Sequence, residues 1–242
     1  MGDASIDKTD KNKTRESYYE NFRMPKNIRQ IGSINDLSKV IYVEDYVMSY
    51  MNQLSIKEQS EYKVAILLGK YIYNNNEGKS IFIKGAIEMK DVNIIDGDMF
   101  TDELWTNAYE EIKKYFSDVE IVGWAIVGLG IIINIEEQIK TLHKENFHGP
   151  DKILFKLDTT ENEEDFCFFE NNQMIKQNGY YIYYEKNEEM QNYMVAYNQE
   201  EKQHEEYNDI TTKKIRNIIE EKENRKKDKK DKNMAHLTYA AG

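Results

Sequence analysis

One cysteine in 242 residues leaves no internal disulfide to form, so nothing in the chain demands an oxidising compartment. That residue, Cys167, lies in the run Phe166-Cys167-Phe168-Phe169 and reads as a buried strand residue, inert because burial raises a thiol's pKa and no base is adjacent in sequence. The N-terminal stretch Met1–Glu20 alternates charged and polar residues without an apolar run, which excludes a signal peptide or membrane anchor there and implies that the domain starts in the cytoplasm. Basic charge is in deficit: the formal net charge is -11 and the pI about 5.0. Nucleic acid is therefore excluded as a main partner, because neutralising phosphates needs Lys and Arg clustered across a folded face. The one dense basic run is Arg225–Lys232. Internal repeats and Ser/Gly linkers are missing as well, and heavy use of Lys, Asn, Ile and Tyr is treated as background.

What is present is enough apolar material, 40% with 12% aromatic, for one α/β core with flanking segments. Residues 1–30 read as a disordered arm, 31–198 as a single domain, 199–233 as a charged helical linker. Within the domain a short strand at Val40–Val43 leads into a helix near 44–56, with Val47, Met51 and Leu54 on one stripe. Val64–Tyr73 and Lys79–Met89 are expected to form a hairpin, since Asn74-Asn75-Asn76-Glu77-Gly78 tolerates positive φ. A helix over 101–116 starts at Thr101 or Asp102, either able to cap it, and carries Leu104, Ala108, Ile112 and Tyr115 inward. The flat apolar run Val119–Gly130 fits a strand buried on both faces at the sheet centre. A helix over 135–147 aligns Ile135, Ile139 and Leu142 and is stopped by Gly149-Pro150. Strands at Lys152–Asp158, Asp165–Glu170 and Gly179–Glu185 follow, then a closing helix from Glu188 to Asn198.

Several chemistries can be weighed on these residues. His143 and His148, five apart, fall on different helix faces and read as a surface residue and a C-terminal cap, not a metal pair. His204 and His236 lie in charged tail sequence without partners. Gly123, Gly128 and Gly130 do not follow G-x-G-x-x-G and no Lys-Ser/Thr comes after them, so they are not a phosphate loop. The tyrosine runs Tyr71-Ile72-Tyr73 and Tyr180-Tyr181-Ile182-Tyr183-Tyr184 read first as edge-strand core packing and second as a binding surface.

The order of elements, with Leu67-Leu68-Gly69 ending the first long strand and Ile121-Val122-Gly123-Trp124 in the central one, resembles the MPN/JAMM metalloprotease family between about Val40 and Glu185. The resemblance implies a mixed, cytidine-deaminase-like β-sheet flanked by helices in one domain. In an active member, Tyr-His-Ser-His-Pro-Gly follows the Val-Gly-Trp strand; two His and an Asp hold zinc, a Glu on the first long strand handles the proton, and a Ser helps stabilise the oxyanion. Here Ile126 and Gly128 stand at the histidine positions, Glu136 at the Ser, Ile139 at the Asp and Tyr62 at the Glu. Glu61 is one residue away but faces the other side of the sheet. The resemblance thus implies a domain without catalytic residues, metal or cofactor, acting through a protein partner or as a homodimer. A second expectation is small-ligand or peptide binding in a vestigial groove lined by Tyr62, Trp124, Ile126, Gly128, Glu136 and Ile139; a residual hydrolase is the third.

The lysine-rich run followed by Met234–Gly242 resembles the basic cytoplasmic flank of a membrane span that continues past Gly242. That resemblance extends to bacterial membrane proteins with an inactive MPN-like domain inside the cell and, outside it, a LysM domain, of which no residue is present here. The expectation is a domain tethered to the inner face of the membrane.

Overall fold

The computed structural model describes residues 22–54, 61–73, 78–95, 100–130, 132–160, 163–204, 206–207 and 210–214. The expected N-terminal arm up to residue 21, most of the linker and the segment 234–242 lie outside them. The chain divides into two units, Met1–Tyr193 and Met194–Gly242.

Nine strands of the first unit form one mixed sheet: β1 (Asn27–Gly32), β2 (Lys39–Glu44), β3 (Tyr62–Tyr73), β4 (Lys79–Met89), β5 (Glu120–Gly128), β6 (Ile153–Asp158), β7 (Glu163–Glu170), β8 (Gln173–Lys176) and β9 (Gly179–Tyr184). Their order across the sheet is β1-β9-β2-β4-β3-β5-β6-β7-β8. β2 runs parallel to both β4 and β9, and β5 parallel to β6; the other neighbours are antiparallel. Among the described residues three helices accompany the strands, α1 (Asp45–Gln53), α2 (Asp102–Tyr115) and α3 (Glu136–Asn146), and a final helix begins at residue 188.

Local chemistry explains these boundaries. The Thr101 hydroxyl accepts from the Leu104 amide at 3.2 Å, satisfying one free N–H of the first turn, and Asp102 and Glu103 complement the helix dipole there. Of the face expected to point inward on α2, Ala108 is fully buried while Leu104, Ile112 and Tyr115 are half-buried. The β3–β4 pair is the expected hairpin, although its tip falls outside the described residues.

Side chains alternate across the strands, so Trp124, Leu154 and Cys167 share one face with their cross-strand neighbours, and Ala125, Phe155 and Phe166 the other. The sheet is curled on that second face. Phe166 of β7 packs edge-on against Tyr180 of β9, and the Tyr180 hydroxyl donates to Glu164, although the two strands are far apart in the order. Lys39 of β2 likewise pairs with Glu170 of β7 at 2.9 Å. The outer face takes the helices: Phe116, after α2, packs on Gly85, and the Trp124 indole meets α3.

Four sequence expectations change. Order begins earlier than Ile31, because Asn27–Gln30 belong to β1, whose polar residues pair with β9 through backbone groups that carry no apolar signature. β9 is consequently an interior strand between β1 and β2, not an edge. β8 was missed: four residues, only Met174 half-buried, are too few to show a period of two. The final helix continues through 204, past the expected stop at Asn198.

Backbones approach closely where β3 and β5 meet their neighbours. A Cβ on Gly123 would lie 2.0 Å from the Ile153 carbonyl oxygen, and one on Gly69 1.8 Å from that of Phe82. Neither oxygen belongs to a side chain that can swing away. Gly123→Ala is expected to cost about 2–4 kcal/mol, read as a lower urea midpoint, and an unchanged midpoint would contradict this packing.

Candidate functional site

The β3–β5 register sets Tyr62 opposite Gly128, Val64 opposite Ile126 and Ile66 opposite Trp124. After β5 the chain passes a 3-10 turn, Ile132–Ile135, and returns as α3 over the same strand. His143 of α3 sits on Trp124, whose indole N–H donates to Nδ1 at 3.0 Å. Ile139, one turn earlier on the same helix face, is carried back along β5 toward Ile126; a helical turn rises about 5.4 Å and two strand residues about 6.6 Å. Tyr62, Gly128 and Ile126 thus lie together at one end of the β3–β5 ladder.

Their chemistry is that of packing. Ile126, Ile139 and Trp124 have no exposed surface. The Tyr62 hydroxyl oxygen accepts the Ile94 amide at 2.8 Å, holding the segment after β4. The Gly128 carbonyl accepts from the Thr159 amide at 2.9 Å and the Thr159 hydroxyl at 3.1 Å. Asp158, paired with Gly128 across β5 and β6, accepts from the amides of Gly130 and Thr160 through one carboxylate oxygen. Glu136 is exposed at the start of α3 and pairs with Lys140 at 3.1 Å. Trp124 and Glu136 do not line a shared groove: one is sealed in the core and the other stands in solvent. Glu61 contributes its backbone, accepting from the Leu129 amide at 3.2 Å.

His143 is the residue most misjudged from sequence. It is 2% exposed, not a surface residue, and stacks on Phe169 with centroids 4.0 Å apart. Because Nδ1 accepts from the indole, the neutral ring carries its proton on Nε2, which has no hydrogen-bond partner among the described residues. Burial pushes its pKa down to about 4. The missed signal was spacing: His143 follows Ile139 by four residues, on the apolar stripe. His148 is exposed and does not cap the helix; the Phe147 amide closes it onto the His143 carbonyl at 2.9 Å. Phe147 also stacks on Trp124, and Phe100 meets both rings edge-on, completing an aromatic shell. Cys167 is buried as expected and its thiol is pushed up to about 11, chiefly by burial. His204 is exposed, and His236 lies outside the described residues.

A second buried polar centre lies on the other half of the sheet. Glu44, 1% exposed at the end of β2, accepts through Oε2 from the Tyr46 amide at 3.1 Å and from Asn187 Nδ2 at 3.0 Å. Its Oε1 has no hydrogen-bond partner among the described residues.

Among the described residues no group of three or more His, Cys, Asp or Glu is arranged to hold a metal, and no helix is long and apolar enough to cross a membrane. The chain matches no protein-family profile and no curated protein sequence. It is similar to the solution structure of protein DSY2949 from Desulfitobacterium hafniense, with a TM-score of 0.41 and 10% identity over 61% of this chain and 94% of that one.

Proposed function

We propose that this is a non-catalytic, MPN-like interaction domain whose work is to hold a protein partner, a second copy included, at the inner face of a bacterial membrane. One observation supports the reading: the β3–β5 register sets Tyr62 beside Gly128 and Val64 beside a fully buried Ile126, and Ile139 of α3 is fully buried as well, so the positions that the MPN resemblance would assign to metal ligands are filled by packing residues. Isoleucine and glycine side chains offer no lone pair, whereas a catalytic zinc takes three protein ligands. The complete burial of Ile126, Ile139 and Trp124 also fills the position a substrate groove would need, which favours partner binding over the groove-ligand reading. The Tyr-rich β9 supports a docking role, with Tyr184 38% exposed and Tyr181 half-buried and stacked on Tyr42.

Two measurements test it. Zinc added to the purified full chain is expected to bind at well under one equivalent, and a chelator to leave the melting temperature unchanged; stoichiometric zinc with a chelator-sensitive melt would restore the hydrolase reading. The full chain used as bait in cross-linked native membranes is expected to capture one dominant protein, itself or another, and to lose it in the Tyr181→Ser/Tyr184→Ser variant. An empty capture with folded bait, or one indifferent to those tyrosines, defeats the proposal.

A further inference from the structure

Glu44 joins three separate pieces of the fold through one carboxylate oxygen. It is the N-cap of α1, accepting from Tyr46. It accepts from Asn187, whose side-chain N–H also donates to the Lys84 carbonyl of β4 at 2.7 Å. Asn187 in turn caps the final helix, its Oδ1 accepting from the Met190 amide at 3.1 Å, while its carbonyl accepts from Gln191. The side chain of Met190 then seats against the Ala86 amide. The start of the final helix is therefore fastened to the sheet through Asn187 and Met190, and Asn187 is held by Glu44 together with the Lys84 carbonyl.

The charges around this carboxyl are unbalanced in one direction. Asp45 follows it on α1 and Tyr183 lies directly opposite on β9, neither of them a cation. The lysine on the β4 side, Lys84, turns its ammonium to Glu189 at 3.2 Å and offers Asn187 only its carbonyl. Ionised, Glu44 would be a buried anion with one oxygen unanswered and no ion pair among the described residues; protonated on that oxygen, it keeps both hydrogen bonds to Oε2 without the charge. We propose that Glu44 is a proton-operated latch: in its neutral form it stays buried and holds Asn187 and the start of the final helix against the sheet, and its ionisation, although it strengthens the individual hydrogen bonds to the carboxylate, loosens that hold because the buried charge is drawn toward water.

The position of the titration agrees with this geometry, since burial pushes the Glu44 carboxyl up to about 7. A folded-state pKa raised above the unfolded value favours the fastened state at low pH and weakens it as pH rises through the folded pKa. Amide hydrogen exchange on the full chain, corrected for intrinsic rates, reads the latch at Met190 and Gln191. Their protection is expected to fall by roughly tenfold or more between about pH 5.5 and about pH 8. In Glu44→Gln, a neutral isostere, it is expected to stay flat across that range; in Asn187→Ala it is expected to be low throughout. Protection that is flat in the unaltered chain, or that keeps its pH dependence in Glu44→Gln, overturns the proposal. Should that variant fail to fold, the carbon-13 shift of the Glu44 carboxyl in the unaltered chain decides: titration at an ordinary carboxylate pKa removes the latch, and titration near neutrality that tracks the exchange supports it.

Discussion

Trp124→Ala is expected to lower the unfolding free energy by about 4 kcal/mol, a large part of the 5–15 kcal/mol that holds a typical domain together. Three losses add. The indole has no exposed surface, so its removal opens a cavity in rigid sheet. Phe147 and Phe100 lose the ring they pack on. His143 Nδ1, at 3.0 Å from the indole nitrogen, is left without its donor in a dry site. Trp124→Phe separates the effects: it keeps an aromatic ring and loses the N–H, and should cost about 1–3 kcal/mol. Urea unfolding followed by far-ultraviolet circular dichroism measures both without relying on the removed chromophore. A tryptophan-to-alanine cost below about 1 kcal/mol would mean that α3 is not seated on Trp124 as described.

The second large effect appears in pH dependence, and in the unaltered protein it is hidden. His143 has its pKa pushed down to about 4 from 6.5, so the native state resists its protonation; the stability it contributes is full above pH 6.5 and lost as pH falls toward 4. Glu44 is raised from 4.5 to about 7, so the stability linked to its neutral form is full below pH 4.5 and lost as pH rises toward 7. Between pH 4.5 and 6.5 the two slopes oppose and nearly cancel. Each shift corresponds to about 3 kcal/mol at roughly 1.4 kcal/mol per pH unit. Glu44→Gln should therefore expose the histidine, its stability rising by about 3 kcal/mol across the acid window, and His143→Gln should expose the carboxyl, its stability falling by about as much toward neutrality. Unfolding free energies at closely spaced pH values, subtracted from the unaltered chain, give the two curves. Difference curves with no slope would show that neither group is held in its neutral form by the fold.

How much of this could be read from residues alone depended on whether the signal was local. The asparagine run between two strand-like stretches announced the β3–β4 hairpin, and Thr101 or Asp102 as a helix cap announced α2. Flat hydrophobicity placed β5 in the sheet interior, where it lies between β3 and β6. β1 and β8 carried no such mark, because both are held at sheet edges by backbone hydrogen bonds and expose most of their side chains. For the site, the resemblance through Val122-Gly123-Trp124 offered Trp124 and Glu136 together as groove residues, whereas the fold seals one in the core and leaves the other exposed. The apolar stripe Ile135, Ile139 and Leu142 had already separated a buried Ile139 from a solvated Glu136, as the burial of the helix bears out. Glu44 was invisible for a different reason. Its partner, Asn187, stands 143 residues away in sequence, and a lone glutamate before a helix looks like any other cap.

The pairing of the first described strand with the last has a meaning for how the chain is made. Among the described residues β1 finds its only neighbour in β9, and β2 has one flank on β4 and the other on β9. On a ribosome adding about 5–20 residues per second, β1 therefore emerges many seconds before the segment that will cover it. During that interval Val40 to Glu44 has β4 on one side and an open row of amides and carbonyls on the other, a template for strands of a neighbouring nascent chain. Chains halted before Tyr184 stay in that condition, so a stalled or prematurely terminated message should yield aggregates, not partly folded domains.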